Sequence, residues 1–413
     1  MLRNFFKIVK HVALEREKYH PVFTYPLFLV KVCICRWRYW LTCQRLANRV
    51  GRVHVAFIVS DPAKWKCQSI YDEMAQSGRF DPVVLCNDGE RSFYEDMGCK
   101  CANESPCDLN IDIAIYQDPW SPLAEKYPVW QVSRNALCCY IPYSIESISQ
   151  GNRSERFDYH HLADFHSLMF ACFQWSESYA CHYRQVQFPW EWAGSVLGFG
   201  HPSLDLYNSK GSLSGEYVIY APHFSFEYNG IMPISSIGTF PWSGRAVLEY
   251  AKAHPEQKWL FKPHPKLRSR LVEIGFMTEA EVNLYYKEWE RTGAVCYDGN
   301  YAHWFMESKA MVTDSNSFLL EYMAVGKPLL HLVPQKTNMK ACAEAESVFK
   351  TFYAARDVDE MTAWLKTVVE DGQDPRGDER RDAARAAAVL DNHAGKRIVD
   401  WLLALKGGPE ACL

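Results

Sequence analysis

Three segments in the second half of the chain carry side chains that could bind and cleave a diphosphate. They are His223, the pair Lys262 and His264, and the run from Asp314 to Ser317. A lysine neutralises phosphate oxygens, hydroxyls and backbone N–H groups hydrogen-bond them, and a histidine can donate a proton to a leaving phosphate. Each segment alone is also an ordinary turn, but the order and spacing of the three together predict a donor site for a nucleotide diphosphate.

The run that begins at Asp314 lies between a predicted strand and a predicted helix. Lys309 to Val312 ends in a β-branched residue, the polar residues after it favour helix N-termini, and Gly326 with Pro328 ends the helix. A second strand is predicted over 329–333. A helix N-terminus at the carboxyl end of a buried parallel strand is a place where anions bind. The alternative is an ordinary capped helix in an α/β domain.

The side chains of this predicted site have distinct expected roles. Lys262 and His264 bind the donor pyrophosphate and stabilise the leaving group, and His223 is a second catalytic histidine. Asp314 is a catalytic candidate that either orients the phosphate-binding groups or binds a donor hydroxyl. Glu321 either holds a ribose hydroxyl or serves only as an acid near the helix dipole. The other predicted donor-binding residues have hydroxyl or amide side chains: Ser315, Asn316, Ser317, Ser236 and Thr239.

The first half of the chain alternates apolar strands with helices, which predicts a parallel sheet. Strands are predicted over 53–60 and 80–86, on either side of a helix over 65–78. Later loops also leave strand ends with polar and aromatic side chains, where an acceptor could bind, although turn residues that cover a core would look the same. The first turn has no Gly-x-Gly-x-x-Gly sequence, which disfavours an NAD-binding fold. The predicted acceptor-side residues are Lys64, Trp65, Gln117, Asp118 and Tyr143.

Length and composition predict a globular α/β protein of two or three domains, because 48% of the 413 residues are hydrophobic. Glycine, proline, serine and asparagine are concentrated over 200–215, which predicts a hinge. We therefore expect a basic segment over 1–50, a first Rossmann-like domain over 51–205 and a second over 206–413.

The first 50 residues are basic, whereas the rest of the chain is acidic. They carry ten lysines and arginines against two glutamates, a net charge of +8, and the remainder carries −12. Residues 1–20 predict a basic amphipathic helix, and the apolar run 21–35 is too short for a transmembrane helix. Without a secretory signal, we expect a cytoplasmic protein whose basic segment contacts the anionic inner leaflet of the membrane. The alternative is a helical pair packed on the body of the protein.

No metal site and no nucleic-acid partner is predicted. The 15 cysteines are odd in number and scattered without a Cys-x-x-Cys spacing, so we expect reduced thiols. His160, His161 and His166 lie close in sequence but do not form a His-Glu-x-x-His motif. The basic segment is short, apolar and terminal, which argues against binding of nucleic acid.

Several motifs in the second half resemble those of one enzyme family. Ala-Pro-His at 221–223, Lys-Pro-His-Pro at 262–265 and Thr-Asp-Ser-Asn-Ser-Phe at 313–318, with Glu321 and Gly-Lys-Pro at 326–328, look like the CDP-glycerol glycerophosphotransferase family of teichoic-acid polymerases and primases. The resemblance implies a GT-B fold, with two Rossmann-like domains facing each other across a cleft and CDP bound by the C-terminal domain. It also implies attachment to the inner leaflet through a basic or amphipathic region.

The first domain departs from that family. Its members usually carry a His-Gly-Thr type motif whose histidine is the proposed base, whereas this chain has the run 140–144, Tyr-Ile-Pro-Tyr-Ser, at the corresponding place. The departure leaves the acceptor, the transferred group and the base open. The candidates for the base are His160, His161, His223 and Asp118.

The resemblance and the predicted site together predict a GT-B transferase that uses no metal or cofactor. It would move glycerol phosphate, or a related polyol phosphate, from a CDP-linked donor to a lipid-linked or cell-surface polysaccharide acceptor. One alternative is a nucleotide-sugar glycosyltransferase of capsule or lipopolysaccharide synthesis, or an epimerase of similar fold. The other is a non-catalytic GT-B scaffold that binds polysaccharide or partner proteins.

Overall fold

The computed structural model describes residues 24–145, 148–150, 163–185, 189–207, 215–230, 233, 236–297, 301–337, 339–387 and 391–405. The helix predicted over 1–20 and two of the candidate bases, His160 and His161, lie outside these residues. The described chain forms two α/β domains, each organised around one parallel sheet, as the alternation of strands and helices predicted.

The first domain contains seven strands that pair in parallel in the order β3-β2-β1-β4-β5-β7-β8. Strands β2 and β3 extend the sheet to one side of β1, and β4, β5, β7 and β8 extend it to the other, so the strand order changes direction between β1 and β4, as in a Rossmann-like sheet. The strands are β1 (Val53–Ile58), β2 (Phe80–Leu85), β3 (Cys101–Ala102), β4 (Ile113–Tyr116), β5 (Leu137–Tyr140), β7 (Ala171–Phe173) and β8 (Ser195–Leu197).

The second domain repeats this plan with six parallel strands in the order β11-β10-β9-β12-β13-β15. Growth of this sheet reverses between β9 and β12, so the two domains have equivalent switch points. The strands are β9 (Tyr217–Ala221), β10 (Lys258–Phe261), β11 (Ala294–Val295), β12 (Ser308–Thr313), β13 (Leu329–Leu332) and β15 (Tyr353–Ala355).

Helices cover both sheets, which explains why the central strands are continuous apolar runs. The first-domain helices are α1 (Thr24–Ala47), α2 (Gln68–Gln76), α3 (Arg91–Asp96), α4 (Pro122–Lys126), α5 (Val129–Val132), α6 (Ala163–His166) and α7 (Glu177–Arg184). The later helices are α8 (Phe240–Ala253), α9 (Leu267–Glu273), α10 (Glu279–Thr292), α11 (Ala302–Glu307), α12 (Asn316–Met323), α13 (Ala343–Phe349), α14 (Val358–Trp364), α15 (Gly377–Ala387) and α16 (Ala394–Ala404).

The strand register brings the important loops to one edge of each sheet. Ile58, Tyr116 and Tyr140 are neighbours at the ends of β1, β4 and β5. Ala221 and Thr313 pair at the ends of β9 and β12 in the second sheet. Since ligands of such sheets bind beyond the carboxyl ends of the strands, these two edges are where a site is expected.

Helix α1 packs against the first domain along one face. Phe28, Val32, Cys35, Tyr39 and Cys43 recur every three or four residues and are buried. The described part of the predicted apolar run, residues 24–35, is therefore part of a longer helix, and this helix packs on the body of the protein as the alternative expected. No helix within the described residues is long and apolar enough to cross a membrane.

The arginines of α1 bind the first domain. Arg36 donates to the carbonyl of Trp192 at 2.8 Å, and Arg38 donates to the carbonyl of Trp130 at 2.9 Å. Two of the basic side chains that the sequence suggested for a membrane surface are therefore hydrogen-bonded to the first domain. The outer face of the helix instead exposes large apolar side chains, namely Leu27, Val30, Trp37, Trp40 and Leu41.

The last described helix, α16, returns to the first domain. Trp401 packs on Phe173, with ring centroids 5.6 Å apart. Asp205 accepts hydrogen bonds from the N–H groups of Ala394 at 2.9 Å and Gly395 at 2.7 Å, and so caps the helix. The prediction that all of 206–413 belongs to the second domain is corrected for this helix, because a helical pattern does not reveal which surface the helix covers.

A short antiparallel pair of strands joins the two domains. Strand β6 (Ile148–Gln150) lies between β5 and β7 of the first domain in the sequence, and strand β14 (Met339–Ala341) follows β13 of the second. Since their backbones pair directly, the two domains are in contact there.

Replacing Asp205 with alanine is expected to lower the free energy of unfolding by about 1–2 kcal/mol, because the first N–H groups of α16 lose their acceptor. Urea denaturation followed by circular dichroism measures the change. Asp382→Ala is the matched control, since Asp382 pairs with Arg385 on an exposed helix surface. Equal unfolding midpoints for the two variants would contradict the capping role.

Candidate functional site

The histidine- and lysine-bearing loops of the second domain lie side by side. The N–H of Lys262 donates to the carbonyl of Tyr220 at 2.9 Å, and the N–H of His264 donates to the carbonyl of Pro222 at 3.0 Å. The imidazole rings of His223 and His264 are 4.8 Å apart. The fold thus brings together side chains that are 41 positions apart in the sequence, at the edge where the spacing placed them.

The carboxylate of Asp314 ties these loops to the end of β12. It accepts hydrogen bonds from the N–H of His223 at 2.6 Å, the N–H of Thr239 at 2.5 Å and the hydroxyl of Thr239 at 2.8 Å. Burial raises its pKa to about 6, so the group is ionised at neutral pH. Asp314 is 0% exposed and all these donors belong to neighbouring loops, which favours the orienting role over the alternative of a contact with a donor hydroxyl.

Thr239 and Ser236 were predicted to bind the donor directly, but both are almost fully buried. The hydroxyl of Thr239 is committed to Asp314. Thr239 is therefore a positioning residue, and the structure offers no direct ligand contact for Ser236.

The start of α12 places serine hydroxyls at the same edge of the second sheet as His223 and His264. Ser315 precedes the helix, and its N–H donates to the hydroxyl of Thr313 at 3.0 Å. Its own hydroxyl lies 3.2 Å from that of Ser317 and does not cap the helix. Ser315 and Asn316 are buried, whereas Ser317 is partly exposed, so Ser317 is the most accessible hydroxyl of this turn.

Both histidines are neutral at pH 7 and carry their proton on Nε2. Nδ1 of His264 accepts from the N–H of Lys266 at 3.1 Å, and Nδ1 of His223 accepts from the N–H of Ser225 at 3.2 Å. Burial and the nearby Lys266, Lys262 and Lys64 lower the pKa of His264 to about 4. Burial and His264 hold the pKa of His223 well below its usual value. Each ring can therefore offer an N–H group to an anion.

Lys262 is almost fully buried among aromatic rings. Its Nζ lies 4.6 Å from the ring centroid of Tyr301 and 5.5 Å from that of Phe318. Cation–π attraction holds the ammonium group at the domain edge. Tyr301 was not predicted as a site residue, because no periodic pattern singles it out before the fold places it beside Lys262.

Glu321 faces the other domain. Its carboxylate accepts hydrogen bonds from the hydroxyls of Tyr207 and Tyr301, both at 2.8 Å, and lies 3.5 Å from Nζ of Lys66. Lys66 follows the predicted acceptor-side turn at Lys64, but no sequence pattern pairs it with an acid 255 positions later. Glu321 is therefore more than an acid at a helix start, because it contacts the first domain.

Four of the five predicted acceptor-side residues meet at the edge of the first sheet. Lys64 forms an ion pair with Asp118 and lies 5.0 Å from the ring centroid of Tyr143. The side chain of Gln117 donates to the carbonyl of Lys64 at 2.6 Å. Nζ of Lys66, two residues after Lys64, lies 3.5 Å from the carboxylate of Glu321 in the second domain, so the two edges are close to each other.

Trp65 is the exception among the acceptor-side residues. Its indole N–H donates to Gln68 at 2.8 Å, and its ring packs edge-on against Phe57. The prediction for Trp65 is corrected: the residue belongs to the core of the first domain, because its large apolar ring is buried better there than at a polar cleft.

His201 is a buried histidine that the sequence did not single out. Its Nε2 donates to the carbonyl of Pro142 at 2.8 Å, within the run that replaces the expected His-Gly-Thr motif. Burial lowers its pKa to about 4, so it is neutral at pH 7. Its hydrogen bonds fix the loop that carries Tyr143.

Among the described residues, no group of three or more histidine, cysteine, aspartate or glutamate side chains could hold a metal ion. His166, considered for a metal, instead packs between the rings of Tyr140 and Tyr183.

Binding of inorganic pyrophosphate is expected to raise the pKa of His264 from about 4, because an anion offsets the field of the three lysines. Histidine NMR titrations with and without pyrophosphate measure the shift, and His264→Gln assigns the signal. His331 is an internal control, since its pKa of about 4 results from burial alone. An identical response of both histidines, or of neither, would contradict an anion site at His264.

Comparisons with known proteins agree on the fold. No protein-family model and no curated protein matches the chain. The S. aureus MnaA–UDP structure is 13% identical, with a TM-score of 0.54, and the match covers 85% of this chain and 96% of that one. The UDP-GlcNAc 2-epimerase from Neisseria meningitidis bound to UDP-GlcNAc is 13% identical, with a TM-score of 0.51 and coverage of 85% and 100%.

A variant of the wall teichoic acid polymerase TagF is 11% identical, with a TM-score of 0.55, and the match covers 98% of this chain and 97% of that one. At such identities the likeness establishes architecture alone. With its parallel sheets of seven and six strands, the chain has the two-domain GT-B fold that the motifs predicted.

Proposed function

We propose that the protein is a transferase that takes glycerol phosphate, or a related polyol phosphate, from a CDP-linked donor. The observation that carries the proposal is the placement of Lys262, His264 and Ser317 at one edge of the second sheet. Structures of the same fold contain UDP or UDP-GlcNAc, or were soaked with CDPG, which supports a nucleotide donor. The acceptor in this proposal is lipid-linked or a cell-surface polysaccharide.

In the proposed reaction, an acceptor hydroxyl oxygen attacks the phosphorus that bears glycerol. The bond from that phosphorus to the bridging oxygen breaks, and CMP leaves with the bridging oxygen. Lys262 neutralises the diphosphate, as a metal ion does in other transferases, so the proposal includes no cofactor. The Nε2–H of the neutral His264 ring hydrogen-bonds the leaving oxygen and stabilises its developing negative charge. When the bound anion raises the pKa of the ring, the ring takes up a second proton on Nδ1, and this imidazolium can transfer its Nε2 proton to the leaving oxygen and return to neutral imidazole.

The acceptor hydroxyl also has to lose its proton to a base. Of the candidates within the described residues, His223 lies beside His264 on the donor edge, whereas Asp118 lies on the facing first-domain edge beside Lys64. An acceptor held by the first domain favours Asp118, because a base has to be within hydrogen-bond reach of the hydroxyl. Loss of turnover in Asp118→Asn with unchanged donor binding is the outcome this assignment requires.

A second function, transfer of a sugar from a nucleotide sugar, or epimerisation of that sugar, is favoured by one feature. Tyr143 stands in the first-domain loop where a His-Gly-Thr motif was expected, and UDP-sugar enzymes share the fold. In sugar transfer the bond at the sugar carbon breaks and the whole nucleoside diphosphate is released. Analysis of the nucleotide products distinguishes the two transfer functions, because glycerol phosphate transfer releases CMP and sugar transfer releases CDP or UDP. A scaffold without turnover would release neither.

We also propose that the protein lies on the inner face of the cell membrane. The exposed apolar face of α1 carries this part of the proposal, because Trp37 is 60% exposed and Leu27 is 62% exposed. Aromatic side chains of this kind favour the headgroup region of a bilayer. The arginines of α1 contribute less than their number suggests, because several of them bind the first domain.

Lys262→Ala and His264→Ala are each expected to lower CMP release from CDP-glycerol by about 100-fold or more, because charge neutralisation and proton donation are both lost. Chromatography of the nucleotide products measures turnover, and thermal denaturation checks that both variants fold. Lys287→Ala and His393→Ala serve as matched controls, because both residues are exposed and lie outside the proposed site. Wild-type turnover in the two site variants would remove the assignment.

Trp37→Ala combined with Trp40→Ala is expected to weaken binding to vesicles of anionic phospholipid by about tenfold, because two large apolar side chains are lost from the exposed face. Co-sedimentation with vesicles measures the partition. Leu284→Ala changes an exposed apolar residue of the second domain and should leave binding unchanged. Equal partition of all three proteins would contradict a membrane role for α1.

A further inference from the structure

Glu321 lies at the centre of a buried contact between the two domains. Its Oε1 accepts from the hydroxyl of Tyr207 at 2.8 Å and lies 3.5 Å from Nζ of Lys66. Its Oε2 accepts from the hydroxyl of Tyr301 at 2.8 Å. Lys66 comes from the first domain, whereas Tyr301 and Glu321 come from the second. Tyr207 lies just beyond the predicted boundary at 205, but its N–H donates to the carbonyl of Leu204 at 3.2 Å, so it continues the last turn of the first domain, and its ring stacks on Phe305 of the second. These four residues are called the interdomain cluster below.

The interdomain cluster is sealed from water. Glu321 is 4% exposed and Lys66 is 7% exposed. Burial raises the pKa values of Tyr207 and Tyr301 well above 10, so both hydroxyls stay protonated and donate to the carboxylate. An ion pair of this kind adds little net stability compared with apolar packing, but it strongly favours one arrangement of its partners. The Lys66–Glu321 ion pair is therefore more important for fixing the relative position of the two domains than for stabilising the fold.

The proposed function assigns a second role to the carboxylate of Glu321, which is binding of a ribose hydroxyl. If Glu321 holds a ribose hydroxyl, that hydroxyl has to reach an oxygen whose surroundings are already filled by Lys66, Tyr207 and Tyr301. The hydrogen bond from Tyr301 to Glu321 lies within the second domain and can persist. Lys66 contacts both Glu321 and the hydroxyl of Tyr301 across the domains, and Tyr207 also donates to Glu321. These contacts of Lys66 and Tyr207 are the ones that a rigid movement of the domains would release.

We propose that the interdomain cluster is a latch, in which Lys66 and Tyr207 hold Glu321 until the ribose of a nucleotide replaces them. The latch itself rests on the contacts described, and its release by ribose rests on the proposed function. Two other interdomain contacts, the pairing of β6 with β14 and the contact of His182 with Glu344, do not involve Glu321. Opening of the latch therefore loosens the two domains without separating them.

The first test is the affinity for CDP and UDP, measured by calorimetry. Tyr207→Phe and Lys66→Met are expected to bind the nucleotide at least about fivefold more tightly than the wild type, because a larger fraction of the molecules has a free Glu321. Tyr39→Phe is the matched control, since its hydroxyl bonds to Leu168 inside the first domain. Weaker binding by Lys66→Met and Tyr207→Phe would overturn the latch and make these residues ligand contacts.

The second test needs no nucleotide. Small-angle X-ray scattering of the unliganded proteins is expected to show a larger radius of gyration for Tyr207→Phe and Lys66→Met than for the wild type and Tyr39→Phe. An unchanged radius in both variants would overturn the latch even if nucleotides bind. If the wild type binds neither CDP nor UDP, the proposed function fails, and the scattering still decides whether the cluster holds the domains together.

Lys66→Met leaves a buried carboxylate without its cation and can reduce stability. Tyr207→Phe keeps the ion pair and removes one hydroxyl, so circular dichroism is expected to show a folded protein. The Tyr207 variant therefore decides the outcome when the two variants differ in stability.

Discussion

The carboxylate of Asp314 accepts hydrogen bonds from the backbone of His223 and from both donors of Thr239. These bonds connect the end of β12 with the loop after β9 and with the residue that precedes α8. A charge buried away from water is tolerated only with such donors, so the three segments cannot shift independently. The position of His223, and through it the neighbouring ring of His264, follows from this one anchor.

The lysines around the site determine the state of its histidines. Lys262 is held among aromatic rings, Lys266 donates to Nδ1 of His264 through its backbone, and Lys64 approaches from the first domain. Their positive field, added to burial, keeps His264 neutral with its proton on Nε2. Such a site is strongly repulsive to a further cation and attractive to a diphosphate, whose negative charge would reverse the shift.

The buried carboxylates of Asp314, just before α12, and Glu321, within it, thus serve different purposes. Asp314 organises loops within the second domain, whereas Glu321 connects that domain to Lys66 and Tyr207 of the first. The first arrangement is local and rigid. The second crosses the cleft and can change when the domains move, which links the geometry of the site to the relative position of the domains.

The central strands β1, β2, β12 and β13, the parallel sheets and the edge that gathers His223, Lys262, His264 and Ser317 were predicted from the sequence, because apolar runs and turn residues report local structure directly. The short strands β3, β7 and β15 were not, since two or three residues are too few to show a pattern. The two-domain architecture also followed from the motifs. Only the tertiary structure placed Tyr301 beside Lys262, buried Trp65 in the core, returned α16 to the first domain and paired Lys66 with Glu321. These are contacts between residues far apart in the chain, and they depend on which surfaces the folded domains cover, which no local pattern encodes.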